Sequence, residues 1–168
     1  MQILLRAMLT GTSMVLSDTE EPVGDFLLRA THNRVTHISG TPSHWRSAMI
    51  SPAASDLNPR YVRLSGEIAD QVILDQLRSA YPDAEIVHAF ASTEAGLAFE
   101  VKDGRAGFPA DSLQTNPDVS MKVEDETLRI KSSRTAWCYL GDDAPALKDA
   151  AGWSDAQDPP WARQKRHC

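Results

Sequence analysis

Hydrophobic positions recur along the chain at two different spacings, and the change from one to the other divides it. Near the N-terminus, Ile3, Leu4, Leu5, Met8 and Leu9 suit a short core helix that stops at Gly11. The apolar run in MVLSD, from Met14, reads as a short buried strand. In EPVGDFLLRATH, Val23, Phe26, Leu27 and Ala30 fall at helical spacing, with Pro22 near the start, where its missing N–H costs little. VTHIS is strand-like. Thr41 and Pro42 then supply an N-cap and a first helical residue for TPSHWRSAMI. After a polar loop, YVRLSG is a strand. IADQVILDQLRSA is the clearest helix, with Ile68, Val72, Ile73, Leu77 and Ala80 repeating along one face. EIVHAF is the next strand.

Between Met14 and Phe90, strands thus alternate with helices, the pattern of a parallel sheet with covering helices joined by right-handed crossovers. Beyond Glu94 the rhythm changes. LAFEV, a Lys102-Asp103-Gly104 turn, VSMKVED and LRIKSS are short alternating segments, which predict antiparallel β hairpins. The expected fold class is therefore α/β: βαβ repeats followed by antiparallel hairpins. From Asp142 onward, Ala, Asp and Pro dominate, and WARQKRHC reads as a mobile tail.

Composition narrows the function. At 168 residues the chain is long enough for one ordinary domain, and 42% hydrophobic with 24% charged residues is the composition of a soluble globular protein. A formal charge of -6 lacks the basic footprint of a general nucleic-acid or membrane-surface binder. Cys138 and Cys168 give no disulfide framework, which fits a reducing compartment, with the cytoplasm as default. The apolar N-terminal stretch is interrupted by Arg6, is too short to span a bilayer, and lacks the basic start of a signal peptide.

HAFASTEAG, at positions 88–96, is the stretch that carries candidate chemistry. In open α/β sheets, ligands sit beyond the carboxyl ends of the strands, which is where the loop after EIVHAF falls. Serine and threonine hydroxyls there can donate to phosphate oxygens, and a following carboxylate can hold magnesium. An aromatic just before the loop can offer a face to a purine. Alone, Ser-Thr-Glu after a strand is most often a polar turn.

Its surroundings change that weighting. RLSGE, a helix, a strand and then Phe90-Ala91-Ser92-Thr93-Glu94 resemble, in order, the signature elements of the adenylate-forming superfamily of acyl- and aryl-CoA synthetases, luciferases and peptide-synthetase adenylation domains. Ser65-Gly66-Glu67 matches the family's Ser-Gly-Gly strand end, and the Phe90–Glu94 stretch its Tyr-Gly-Ser/Thr-Thr-Glu signature. Downstream, LRIKSSRTAWCYLG is similar to the family's hairpin, and Leu147–Trp153 to its Asp-Gly-Trp approach to a Thr-Gly-Asp motif. VTHISGTPSHWR resembles the strand and helix lining the acid-substrate side of the pocket.

This resemblance implies ATP or AMP, Mg²⁺ and CoA as cofactors and a carboxylic acid as substrate. Thr93 would hydrogen-bond the α-phosphate, Glu94 would hold Mg²⁺, and Phe90 would lie beside adenine. Gly66, Glu67, Ala91 and Ser92 would form the surrounding loops, with His88 facing the nucleotide or serving as a hydrogen-bonded core histidine. Asp158 is the nearest counterpart of the ribose-binding aspartate, although Ala156-Gln157 stands where the family has Thr-Gly. Ala91 likewise replaces the usual glycine.

Two family elements are not found. The Ser/Thr/Gly-rich segments Leu9–Ser13 and Ser39–Ser43 are not followed by the lysine of a phosphate loop, and they fit better as a helix stop and a helix start. Lys165 lies in a segment unlike the family's lysine-bearing C-terminal domain. The expectation is a fragment of the large domain over residues 1–153, a divergent tail over 154–168, and no full ligase activity alone. The alternative is a non-catalytic remnant that binds an adenylate or docks on a complementary chain. His32, His37 and His44 lack zinc-like spacing, Asp70 falls on the solvent face of its helix with no role, and Glu124–Glu126 form a solvated turn.

Overall fold

The computed structural model describes residues 2–18, 20–92, 96–107, 118–125, 127–138 and 146–155. Within them the helices are α1 (Gln2–Thr10), α2 (Val23–His32), α3 (Pro42–Ile50) and α4 (Gln71–Ala80). One sheet holds β1 (His37–Gly40), β2 (Tyr61–Ser65), β3 (Glu85–Ser92) and β4 (Gly96–Val101), in that order. β1, β2 and β3 are parallel, and β4 turns back antiparallel to β3. A second sheet holds β5 (Val119–Glu124), β6 (Thr127–Ser132) and β7 (Ser154–Asp155), all antiparallel. The α/β class and the switch from parallel to antiparallel pairing thus follow the sequence pattern.

One face of the parallel sheet makes the main core. Along β2, buried Val62 and Leu64 alternate with half-buried Tyr61, Arg63 and Ser65. The buried pair packs with Leu27 and Ala30 of α2, Trp45 and Ala48 of α3, and Ile73, Leu74 and Leu77 of α4. Two aromatic residues fasten this layer, each with its polar end satisfied. The Trp45 indole N–H donates to the Arg63 carbonyl at 3.4 Å, and the Tyr81 hydroxyl donates to the Ala54 carbonyl at 2.9 Å. Their rings meet edge-on at 6.3 Å, and burial pushes the Tyr81 phenol pKa up.

Three sequence expectations are corrected. MVLSD is not a strand: residues 12–18 take no regular structure, and Leu16 is exposed. Three apolar residues have the composition of a strand, but a strand exists only with a ladder, and β1 borders β2 alone among the described strands. α1 forms and ends at Gly11 (φ 69°) as expected, yet it is not a core helix: among its described side chains only Ala7 is buried, while Leu9 is 88% exposed. In α4 the buried row is Ile73, Leu74 and Leu77, so Val72 (66% exposed) and Ala80 face outward, and the helix begins only at Gln71, leaving exposed Ile68 outside it.

The second sheet has a small core of Val119, Met121, Leu128 and Ile130, against which Phe90 of β3 packs. Its turn at Asp125 (φ 51°) is solvated as expected, while Glu126 lies outside the described residues. Arg129 of β6 gathers three carboxylates: Glu124 at 2.8 Å, Asp149 at 3.0 Å and Asp155 at 2.9 Å. Asp149 also accepts from the backbone N–H groups of Ala151 and Trp153, and Lys122 sits 4.8 Å from the centre of the Trp153 ring. Of the tail expected over residues 154–168, Ser154 and Asp155 pair with β6 as β7, and residues 156–168 lie outside the described set. Among the described residues no helix is long and apolar enough to cross a membrane.

Candidate functional site

The register of the parallel strands brings the two motif segments to one edge. Gly40 pairs with Leu64 and Ser65 pairs with Ala89, so the loops after β1 and β2 leave the sheet beside the last residues of β3. This is the carboxyl end of the sheet, where such folds bind ligands. β3 runs on past its pairing with β2 through Phe90, Ala91 and Ser92, which are held instead by β4. The β3–β4 ladder shifts register between Phe90 and Ala91, a bulge of the kind that re-aims side chains next to sites. Thr93 and Glu94, the expected phosphate and magnesium ligands, lie outside the described residues, as does Asp158.

The loop after β2 is built on Gly66 and Glu67. Gly66 has φ 87°, and a Cβ there would meet only Thr41 Cγ2 at an ordinary 3.7 Å, so backbone conformation rather than space calls for glycine. The Glu67 carboxylate accepts from the Ser43 backbone N–H at 3.0 Å and from the Ser43 hydroxyl at 2.6 Å. These bonds, led by the Ser43 hydroxyl, hold its carboxyl below the ordinary range. Three residues on, Asp70 caps α4 by accepting from the Ile73 N–H at 3.0 Å, and it pairs with Arg46 of α3 at 2.6 Å. The Ile73 N–H is the leading cause of its own lowered pKa. Asp70 is exposed as expected but is not without a role.

His88 and Phe90 are each engaged within the fold. The His88 Nε2 meets the Arg105 carbonyl at 2.9 Å, the hydrogen-bonded arrangement that was the alternative to facing a nucleotide. The loop carrying Arg105 is pinned again by Gln71, which donates to the Gly104 carbonyl at 3.0 Å and accepts from the Ala106 N–H at 2.9 Å. Phe90 packs on the core of the second sheet. His32, His37 and His44 are exposed and separate in role: His37 stacks on Tyr61, and His44 completes the cap of α3. Among the described residues no group of three or more His, Cys, Asp or Glu is placed to hold a metal ion.

Sequence reasoning missed Ser43, Asp70 and Gln71. Asp70 had a readable signal, an aspartate immediately before an apolar helical run. Ser43 and Gln71 had none, since their partners lie 24 to 35 residues away.

No protein-family model matches the sequence, and no curated protein matches it. Solved structures do. A variant of E. coli MenE with bound OSB-AMS superimposes with a TM-score of 0.70 over 94% of this chain and 33% of its own, at 18% identity. The anthranilate CoA ligase AuaEII, in complex with anthranoyl-AMP, gives 0.70 over 86% and 31%, at 16% identity. The chain has the fold of adenylate-forming ligases. The o-succinylbenzoate CoA synthetase of Bacillus subtilis, bound to the acyl-adenylate intermediate OSB-AMP, gives 0.65 over 91% and 34%, at 16% identity. The chain therefore spans about a third of the length of the ligases it matches, and its partial ligase fold combines the parallel and antiparallel sheets described above.

Proposed function

We propose that this chain is part of the nucleotide- and acid-binding region of an AMP-dependent acyl- or aryl-CoA ligase, and that alone it holds an adenylate without completing the reaction. The observation that carries this reading is the pairing of Ser65 with Ala89, which sets the Ser65-Gly66-Glu67 segment beside the Phe90–Ser92 end of β3 at the ligand end of the sheet. In it, the Gly66 loop and the Ala91–Ser92 backbone flank the nucleotide, Thr93 donates to the α-phosphate, and Asp158 meets the ribose. Phe90 forms the wall between purine and second sheet. The hydroxyl and carboxylate oxygens of Thr93 and Glu94 are the donor type that magnesium takes, so Glu94 would hold it; the ion, when bound, neutralises phosphate charge. CoA would enter as the thiol that displaces AMP. The two cysteines without a framework make a reducing, cytoplasmic setting part of the same reading.

Completing adenylation needs a preorganised cradle for the phosphates, and neither Ser/Thr/Gly-rich segment of these residues carries a lysine. Losing a single preorganised donor costs roughly 10²–10³ in rate. Titrating AMP with Mg²⁺ into the isotope-labelled chain is expected to shift the amide signals of Gly66 and of residues 90–94. ATP with a panel of carboxylic acids is expected to release no pyrophosphate. Amide signals unmoved by AMP would remove the nucleotide site, and pyrophosphate release would remove the inactivity.

The exposed apolar side chains of α1 favour a second reading, in which the chain docks on a complementary chain or a second copy. Sedimentation of the purified chain separates the two, since a monomer that binds AMP supports only the first.

A further inference from the structure

The N-terminus of α3 allows its backbone donors to be accounted for one by one. The Thr41 N–H points at His44 Nδ1 at 3.4 Å, and Pro42 has no N–H. The His44 N–H is taken by the Thr41 hydroxyl at 3.2 Å, and the Trp45 N–H begins the helical ladder on the Thr41 carbonyl. Only Ser43 is served from a distance, by Glu67, 24 residues later. One turn along, Arg46 reaches Asp70. Residues 43 and 46 of the helix thus meet residues 67 and 70 of the loop, a clasp with two points at matching spacing.

We propose that Glu67 is a positioning residue: its carboxylate clasps the loop after β2 to the N-terminus of α3, so the loops leaving β1 and β2 are held as one unit and the carboxylate itself faces α3 rather than a ligand. Three features support this. The Glu67 carboxylate accepts both the Ser43 N–H and the Ser43 hydroxyl, the latter at 2.6 Å, a length typical of a charge-assisted bond, and Thr41 of the same helix start also acts on it. Gly66 takes the left-handed turn that presents the next side chain to α3. Arg46 and Asp70 meet between the same two stretches one turn along, which keeps the loop in register with α3. The consequence for ligands, that the clasp fixes the spacing between the acid side at α3 and the nucleotide side at Gly66, rests on the proposed function; the clasp does not.

The test is amide hydrogen exchange on the full chain. Glu67→Ala is expected to speed exchange at Ser43 by about tenfold, the scale of one lost hydrogen bond, while Leu64 and Leu77 stay protected. Glu67→Gln, which keeps an acceptor, is expected to restore most of that protection. Should the alanine variant fail to fold, a pH titration of the wild-type chain serves: the Ser43 amide is expected to titrate with the Glu67 carboxyl, with His44, Arg46 and Asp70 as the neighbouring charges. Unchanged Ser43 exchange in the alanine variant, or no titration of the Ser43 amide in its place, overturns the clasp. AMP titration is run in parallel. If AMP binds and Glu67→Ala weakens it with Ser43 still protected, Glu67 is a ligand contact and the proposal fails. If wild-type chain ignores AMP while Ser43 responds as expected, the clasp stands and the nucleotide reading falls.

Discussion

Asp70 does two jobs with one carboxylate, capping α4 through the Ile73 N–H and pairing with Arg46. The two jobs differ in weight. An N-cap aspartate replaced by alanine costs about 1 kcal/mol, whereas an exposed ion pair is screened and contributes little. Asp70→Ala is therefore expected to lower the urea midpoint clearly, and Arg46→Ala hardly at all. The difference should depend on pH. Asp70 and Glu67 both have carboxyls held below their ordinary values by hydrogen bonds to the folded backbone or to Ser43. Their stabilisation is complete above the unfolded carboxylate range near pH 4 and is lost as pH falls through the lower folded values. The gap between wild type and Asp70→Ala is thus expected to close in acid, as urea melts at pH 7 and pH 3 would show. At this scale the sequence revealed residue types better than partners. The cap of α3 at Thr41 and Pro42 is local, and it was legible from two neighbouring letters. The Ser43–Glu67 bond was not, because its partners share no spacing rule.

Among the elements, α4 and α1 show what periodicity reports and what it omits. Both are amphipathic and both form. Which apolar row of α4 is buried depends on where the sheet lies, and packing on β2 selects Ile73, Leu74 and Leu77 over Val72. Leu77→Ala is expected to cost about 2–5 kcal/mol, the range for an emptied core site, and Val72→Ala less than about 0.5 kcal/mol. Chemical denaturation of the two variants checks this, and equal costs would place the helix in another orientation. α1 is the stronger case. Its pattern is that of a packed helix, but packing needs a second surface, and the described residues bury only Ala7 of it. MVLSD failed as a strand for the same reason. Elements whose neighbour is set by the βαβ order or by a tight hairpin were legible; α1 and MVLSD, whose partner neither sets, were not.

Across the whole molecule, the order of motifs proved the most informative reading, because several segments in sequence constrain a fold more than any one of them. The fold itself agrees with ligases of which this chain spans a third. The two sheets are joined through Phe90, whose ring packs on the core of the second sheet, so the strand that ends in the candidate loop also seats that sheet. Phe90→Ala is expected to loosen β5 and β6 more than β1 and β2, which site-resolved hydrogen exchange would separate. Arg129 has a further consequence for the second sheet. β7 is two residues long, pairs with β6 only opposite Arg129 and Ile130, and contributes one buried residue, Ser154, so the ion pairs of Arg129 with Asp155 and Asp149 reinforce a short ladder. Attraction between partly exposed charges fades when mobile ions crowd around them, with a reach of about 3 Å at 1 M salt. Apolar cores do not fade in that way. High salt should therefore loosen the Asp149–Asp155 segment before it disturbs the core of Val119, Met121, Leu128 and Ile130, making ionic strength a dial that turns first on the shortest strand of that sheet.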